Sequence, residues 1–163
     1  LKTFFIKKAI DLKLINSEMI AWVDFGYCRT QEMTRGLSQW SYPFDKNKIN
    51  LFTIKRWLNP KSINQVYDYM IKNRSFIIGG AIVATQENWL KFYNLVCRCQ
   101  IQTLKHKIVD DDQGIFIMCY YYKPELMKLN YLGKNRWLYL FRMFGKKDLK
   151  TLLLRSKVLI RGK

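Results

Sequence analysis

The segment "VDDDQGIF" (109–116) places Asp110, Asp111 and Asp112 side by side in a chain that has only 12 acidic residues among 163. Adjacent carboxylates repel one another and shift one another's protonation, so the tripeptide predicts a helix end, a cation site or a reaction. One interpretation is a capping box, in which Asp110 caps a helix and Gln113 follows three residues later. Capping accounts for one or two of these carboxylates but not for all three. The other interpretation is a helix start that faces a ligand, where a carboxylate can take the proton of a hydroxyl group.

A further candidate carboxylate follows a short apolar run. The segment "MIAWVDFG" (19–26) has five apolar residues and then Asp24. Such a run predicts a strand buried on both faces, as in a parallel sheet, and open α/β sheets bind ligands beyond the carboxyl ends of their strands. Asp24 would then contact a metal ion or a hydroxyl group, and Gly26 would let a ligand approach the backbone. The alternative is a turn in which Asp24 bonds its own backbone.

Two glycines interrupt a third apolar segment. Gly79 and Gly80 lie within "FIIGGAIVAT" (76–85), where glycine weakens a strand unless a backbone or a ligand comes close. A β-bulge and a ligand contact are both open interpretations. The tryptophans predict core or rim packing, although one could stack on a sugar ring; they are Trp22, Trp40, Trp57, Trp89 and Trp137.

Elements that would position these residues follow from apolar spacing and capping signals. The segments with helical spacing or helix-start residues are 1–15, ended by the turn "NSE" (16–18), 59–73 with Pro60 or Ser62 near its start, 86–106 capped by Thr85, and 113–123 ending at Pro124. Besides 19–26 and 76–85, the segment "KINLFTIKR" (48–56) predicts a strand. Alternating strands and helices predict an α/β fold, and the length suits one domain over residues 1–163.

The net charge of +17 allows two interpretations, an anionic partner or a solvated surface. Nucleic acid is the weaker partner because no nucleic-acid-binding module accompanies the charge. Basic residues among Leu, Phe and Tyr in 134–163 predict reversible docking on an anionic membrane surface; they are Arg142, Lys146, Lys147, Lys150, Arg155 and Lys157. No stretch reaches the roughly 18 consecutive apolar residues of a membrane span. The four cysteines lack zinc spacing, which indicates reduced thiols in the cytoplasm.

Several segments together resemble the HtrL/YibB family of bacterial proteins, which are often found among lipopolysaccharide or surface-glycan genes. They are "WVDFGYCR" (22–29), "FIIGGAIVAT" with Trp89 after it, "VDDDQGIF", and "WLYLFRMFG" (137–145). The resemblance extends in order over nearly the whole chain. Members of the family are longer at the N-terminus, and this chain opens inside a predicted helix without an initiator Met. The resemblance therefore implies that an N-terminal part is missing.

That family is in turn similar to glycosyltransferases of the GT-A type, which implies a three-layer sheet with flanking helices. In those enzymes a strand-end D-x-D motif binds a divalent ion and the nucleotide-sugar diphosphate, and a later acidic motif serves the acceptor. Asp24 matches the first motif and implies a manganese or magnesium ion, but Gly26 stands where the second carboxylate belongs. Asp111, Asp112 and Gln113 fit the later motif, with Asp111 or Asp112 as the base.

The resemblance implies a function in lipopolysaccharide or other cell-surface glycan synthesis. The enzyme would transfer a sugar from a nucleotide-sugar to a glycan or lipid-linked acceptor, in the cytoplasm or at the inner face of the membrane. Substrate contacts would come from Asp24, Gly26, Gly79 and Gly80. The alternative is a non-catalytic member of the same fold that binds a glycan or a protein, which the incomplete D-x-D favours.

Overall fold

A four-stranded mixed sheet forms the centre of the protein. The computed structural model describes residues 1–34, 37, 39–56, 58–145 and 149–160. In spatial order the sheet is β1-β3-β2-β4, and β3 runs antiparallel to both of its neighbours, whereas β4 runs parallel to β2. The strands are β1 (Met19–Val23), β2 (Ile49–Thr53), β3 (Ile77–Thr85) and β4 (Met127–Tyr131). The prediction of a mixed α/β architecture is confirmed.

Helices complete the fold. They are α1 (Lys2–Asp11), α2 (Gln31–Thr34), α3 (Ile63–Ile71), α4 (Gln86–Lys105), α5 (Asp112–Tyr122), α6 (Leu140–Phe144) and α7 (Leu149–Ile160), with a 3₁₀ turn at Pro124–Leu126. Helix α4 packs on α1 and α5, α5 also packs on α3, and both α4 and α5 contact β3. Helices α6 and α7 pack on each other.

The core lies on both faces of the sheet because β2 is buried throughout and β3 is buried over most of its length. Successive strand residues point to opposite faces. Leu51 accordingly joins the cluster with Trp89 and Phe116, which come from α4 and α5. Its neighbour Phe52 joins the second cluster, which contains Leu140 and residues near the C-terminus. The sheet thus separates an α4–α5 core from a smaller core built with α6 and α7.

Strand β1 differs from its prediction in direction and in burial. The sequence predicted a parallel strand buried on both faces, but β1 is an edge strand, antiparallel to β3, and its Ala21 is exposed. Ile20 is the buried residue of the strand. An apolar run of five residues predicts a strand, but it does not determine whether the strand is parallel or antiparallel, or whether it lies at the edge of the sheet. The antiparallel pairing sets Asp24 beside Gly80, whose carbonyl accepts a hydrogen bond from Asp24 N at 2.9 Å.

Predicted helix starts are confirmed where a side chain caps the helix. Ser62 Oγ accepts a hydrogen bond from Gln65 N at the start of α3, and Thr85 Oγ1 accepts one from Asn88 N at the start of α4, each at 3.3 Å. Helix α5 ends at Tyr122, just before Pro124, as predicted. Strand β4 was not predicted, because its sequence "MKLNY" is short and half polar.

The paired glycines lie in a β-bulge between β2 and β3. Leu51 pairs with Ile82 and Thr53 pairs with Ile77, so the single residue Phe52 faces the stretch 78–81 of β3. A bulge leaves residues without ladder partners and bends the strand. This register shift agrees with the bulge interpretation of Gly79 and Gly80, and the ligand interpretation stays a prediction.

Candidate functional site

An open cleft of about 520 Å³ lies where β1 ends, β3 begins and α5 begins. The predicted site residues Asp24, Gly26, Gly79, Gly80, Asp112 and Gln113 all line it. Asp111 does not. The antiparallel pairing of β1 with β3 and the bulge in β3 bring together residues that the sequence separates by almost 90 positions. Lys2, Tyr27, Arg29 and Trp137 are further lining residues that were not among the predicted ones.

Lys2 connects three elements across the cleft. Its Nζ lies 3.0 Å from Asp24 Oδ2 and 2.6 Å from Asp112 Oδ2, and it donates to the Gly79 carbonyl at 2.8 Å. Burial opposes the charged ammonium, but the hydrogen bonds with Asp112 and Asp24 and their negative charges outweigh it and raise the pKa of Lys2. The ammonium therefore holds the end of β1, the bulge of β3 and the start of α5 in one place.

Both carboxylate oxygens of Asp24 are engaged. Oδ2 bonds Lys2, and Oδ1 accepts a hydrogen bond from Trp22 Nε1 at 2.7 Å. Trp22 is itself stacked on Phe5 of α1, with ring planes 7° apart. Asp24 is thus held rigidly from two sides, which suits a residue that positions the cleft or a ligand.

The three consecutive aspartates have three different surroundings. Asp111 caps α5: its Oδ1 accepts from Gln113 N at 2.8 Å and its Oδ2 from Gln113 Nε2 at 3.1 Å. Asp110 Oδ1 accepts from Asp111 N at 2.9 Å. Asp112 faces the cleft, and among the described residues its Oδ1 makes no hydrogen bond. The cap was predicted at Asp110 but lies one residue later, and Asp112 is the aspartate of the three that lines the cleft.

The Asp110 carboxylate packs against Gly114, in the first turn of α5. Burial raises the pKa of its carboxyl, the hydrogen bond from Asp111 N opposes this, and the charges of Asp111 and Asp112 add to it. A Cβ at Gly114 would lie 1.6 Å from Asp110 Oδ2, so the glycine makes room for this carboxylate. Asp110 therefore has a packing role that the sequence did not reveal.

Gly79 is tightly covered by a carboxylate. A Cβ at this position would lie 2.4 Å from Asp112 Oδ2 and 2.5 Å from both Oδ1 and Cγ. Real Cβ atoms do not approach so closely, so Asp112 depends on the absence of a side chain at Gly79. The irregular part of β3 thus brings the Gly79 backbone under a carboxylate that lines the cleft.

Tyr27 fixes the opposite wall of the cleft. Its hydroxyl donates to the Trp137 carbonyl at 2.7 Å and accepts from Leu140 N at 3.2 Å. Burial raises the pKa of the Tyr27 hydroxyl well above its ordinary range, although the bond from Leu140 N opposes this. Trp137 is left 38% exposed beside the cleft, whereas Trp89 is buried in the core as predicted. Trp57 lies outside the described residues.

We expect Tyr27→Phe to lower the free energy of unfolding by about 1–3 kcal/mol, because the buried Leu140 N–H loses its partner. Urea unfolding followed by fluorescence measures the change. Tyr131→Phe is the comparison, because Tyr131 packs against the same core cluster and its hydroxyl makes no hydrogen bond among the described residues. An unchanged midpoint of urea unfolding in Tyr27→Phe would show that the Tyr27 hydroxyl does not stabilise this wall of the cleft.

A divalent ion does not fit the cleft while Lys2 is in place. Asp24 Oδ2, Asp112 Oδ2 and the Gly79 carbonyl are oxygen ligands of the kind Mg²⁺ and Mn²⁺ prefer, but all three already contact the Lys2 ammonium. Within the described ranges, no cluster of three or more His, Cys, Asp or Glu side chains is arranged to hold a metal ion. The metal predicted at Asp24 stays a prediction without support from this geometry.

Sequence patterns gave no signal for the cleft residues beyond the acidic and glycine motifs. Lys2 is one of 29 basic residues, so its type carried no information without its partners. Trp137 was considered with the other tryptophans and was predicted to pack. In the structure, Trp137 lies between β4 and α6, outside any helix or strand.

The basic C-terminal segment is described only in part. Lys146, Lys147 and Lys163 lie outside the described residues, and the side chains of Lys150 and Arg155 are likewise not described. Lys157 is exposed on α7, whereas the Arg142 guanidinium lies 5.0 Å from the Tyr139 ring. Membrane docking through this segment stays a prediction. In the part of the chain that the structure describes, no helix combines the length and the apolar character needed to cross a bilayer.

Comparison with known proteins identifies a matching family and a curated relative. A family described as bacterial protein of unknown function (HtrL_YibB) matches residues 1–146. Protein HtrL of Escherichia coli strain K12 is 54% identical over 144 residues, which are 88% of this chain and 50% of that protein. The chain thus spans about half the length of this curated relative. No solved structure matches the chain.

Proposed function

The chain belongs to the HtrL/YibB family of bacterial proteins, and we propose that its cleft is the sugar site of a GT-A-like glycosyltransferase that builds lipopolysaccharide or another cell-surface glycan. The observation that carries the proposal is Asp112, a carboxylate that faces the cleft and keeps Oδ1 without a hydrogen bond among the described residues. Asp111 and Asp24 have both oxygens engaged. Of these three carboxylates, Asp112 is therefore the one with a free acceptor for a substrate hydroxyl.

The size and walls of the cleft support a sugar ligand. About 520 Å³ falls within the range of roughly 300–1,000 Å³ that is usual for small-molecule sites. Sugar rings present an apolar face and several hydroxyls. The exposed ring of Trp137 offers a surface for such a face, and Gln113 and Asp112 lie at the same cleft for the hydroxyls.

In the proposed reaction, an acceptor hydroxyl attacks the anomeric carbon of a nucleotide-sugar and the nucleoside diphosphate leaves. Asp112 Oδ1 takes the hydroxyl proton as general base. Lys2 and Arg29 provide positive charge at the cleft toward the departing diphosphate, and Asp24 keeps Lys2 in position. The acceptor is a glycan or a lipid-linked glycan, and the latter would place the enzyme at the inner face of the membrane through its basic C-terminal segment.

A non-catalytic glycan- or protein-binding role is the second candidate. Gly26 replaces the second carboxylate of D-x-D, and Asp24 is fully engaged by Lys2 and Trp22. In that case the cleft would bind a sugar without transferring it.

Calorimetry with uridine and guanosine diphosphate sugars, with and without Mn²⁺, tests the proposal, and a product assay with the same donors follows. We expect saturable binding that is lost in Asp112→Ala and Trp137→Ala, together with release of nucleoside diphosphate. Binding without release would favour the non-catalytic role. Absence of binding to every donor by the folded protein would contradict the transferase.

A further inference from the structure

The Lys2 ammonium occupies the place between two carboxylates that a bound cation takes in a metal site. Its three contacts, to Asp24 Oδ2, Asp112 Oδ2 and the Gly79 carbonyl, lie between 2.6 and 3.0 Å. A lysine ammonium has three N–H donors, and here each has an oxygen acceptor within hydrogen-bonding distance. The contacts come from the end of β1, the bulge of β3 and the first residue of α5.

We infer that Lys2 is the resident cation of the cleft and that the cleft binds its ligand without a divalent metal ion. The inference rests on the proposed function in treating this cleft as the ligand site. It differs from the GT-A pattern, in which the strand-end carboxylates hold a metal. Here a side chain of the protein supplies the positive charge permanently.

Charge at the cleft supports the inference. Among the described residues, the charged ones that line it are Lys2, Arg29, Asp24 and Asp112, whose formal charges sum to zero. Without Lys2, the two carboxylates and the Gly79 carbonyl would lose the cation that contacts all three, and such an oxygen cluster attracts a divalent cation. With Lys2 present, a metal ion would have to displace an ammonium from three acceptors before it could bind.

The position of Lys2 in the fold makes this ammonium a fixed part of the site. Lys2 is the first residue of α1, whose Thr3 and Ile6 are buried, and the Lys2 side chain is only 21% exposed. Phe5, three residues further along α1, stacks on Trp22, which in turn donates to Asp24. Helix α1 is therefore connected to Asp24 in two ways, directly by the Lys2 ion pair and indirectly by the Phe5–Trp22 stack.

Titration with Mn²⁺ alone, followed by the electron paramagnetic resonance signal of the free ion, tests the inference without any sugar. We expect the wild-type protein to bind Mn²⁺ no more tightly than the Asp24→Asn variant does. Lys2→Met keeps an unbranched side chain of similar length but removes the positive charge. This variant should bind Mn²⁺ at least about tenfold more tightly than the wild type, because the ammonium no longer competes for the carboxylate oxygens. Adding Asp24→Asn to Lys2→Met should abolish the gain.

The matched control is Lys8→Met, which removes an exposed lysine of the same helix and should leave Mn²⁺ binding as in the wild type. Tight wild-type binding that Asp24→Asn removes would overturn the inference, and so would a folded Lys2→Met protein that gains no affinity. Should Lys2→Met fail to fold, the comparison of wild type with Asp24→Asn decides the question by itself. Because no donor is present, failure here is distinguishable from failure of the sugar proposal, which calorimetry with nucleotide-sugars measures.

Discussion

Replacing Asp112 by alanine is expected to lower the rate of sugar transfer by about 10²–10⁴-fold, the usual contribution of a positioned general base. Asp112 lines the cleft and has an oxygen available for the acceptor hydroxyl, and its loss also removes one of the three partners of Lys2. The measurement is nucleoside diphosphate release at saturating donor. Equal rates in wild type and variant would remove Asp112 from the mechanism.

Two other aspartates make this test specific. Asp111→Ala should act on the helix instead, lowering the free energy of unfolding by about 0.5–2 kcal/mol, because Asp111 caps α5 and bonds Gln113. Asp68→Ala removes a partly exposed carboxylate that pairs with Lys72 at the end of α3, and it should change neither rate nor stability appreciably. A loss of rate in Asp68→Ala as large as that in Asp112→Ala would indicate a general effect of charge.

We expect Gly79→Ala to displace Asp112 from the cleft, because the new Cβ would lie within 2.5 Å of its carboxylate. The carboxylate can rotate away only by giving up the 2.6 Å contact with Lys2. The expected result is at least about a tenfold loss of donor affinity, with a decrease of about 1–3 kcal/mol in the free energy of unfolding, as for other overpacked sites. Calorimetry and urea unfolding on the same preparation separate the two effects.

Gly26→Ala is the matched control for this glycine. Gly26 also lines the cleft, but nothing lies within 4 Å of the position that its Cβ would occupy. Position 26 therefore accommodates alanine without a clash, and the donor affinity of Gly26→Ala should stay within a few-fold of that of the wild type. An equal loss of affinity in both variants would show that the Asp112 contact is not what Gly79 protects.

Elements governed by neighbouring residues were predictable from the sequence. The side chains of Ser62 and Thr85 each accept a hydrogen bond from the backbone N–H three residues later, so both helix starts could be identified without knowledge of the fold. Pro124 likewise marked the end of α5. The glycines of β3 signalled an irregular strand, although the sequence alone could not separate a bulge from a ligand contact.

Features that depend on distant partners were not predictable. The direction of β1 is set by its pairing with β3 some 60 residues later, and β4 gains its place from a parallel pairing with β2. The same limit applies to Lys2, whose role comes from residues in three other segments. The finer expectation, a GT-A three-layer sheet, goes beyond the four-stranded mixed sheet found here, and it stays part of the proposal.

The contacts of Lys2 have a consequence for how the protein folds. They join residues separated by 22 positions to Asp24 and by 77 positions to Gly79, and they reach still further to Asp112. Because these contacts link segments that are far apart in the chain, the cleft forms only once α1, β1, β3 and α5 have packed together. A ligand that occupies the cleft therefore stabilises the packed arrangement of these elements by mass action. Slower hydrogen exchange in α1, β3 and α5 together, rather than in one of them, is the signature by which such a ligand would be recognised.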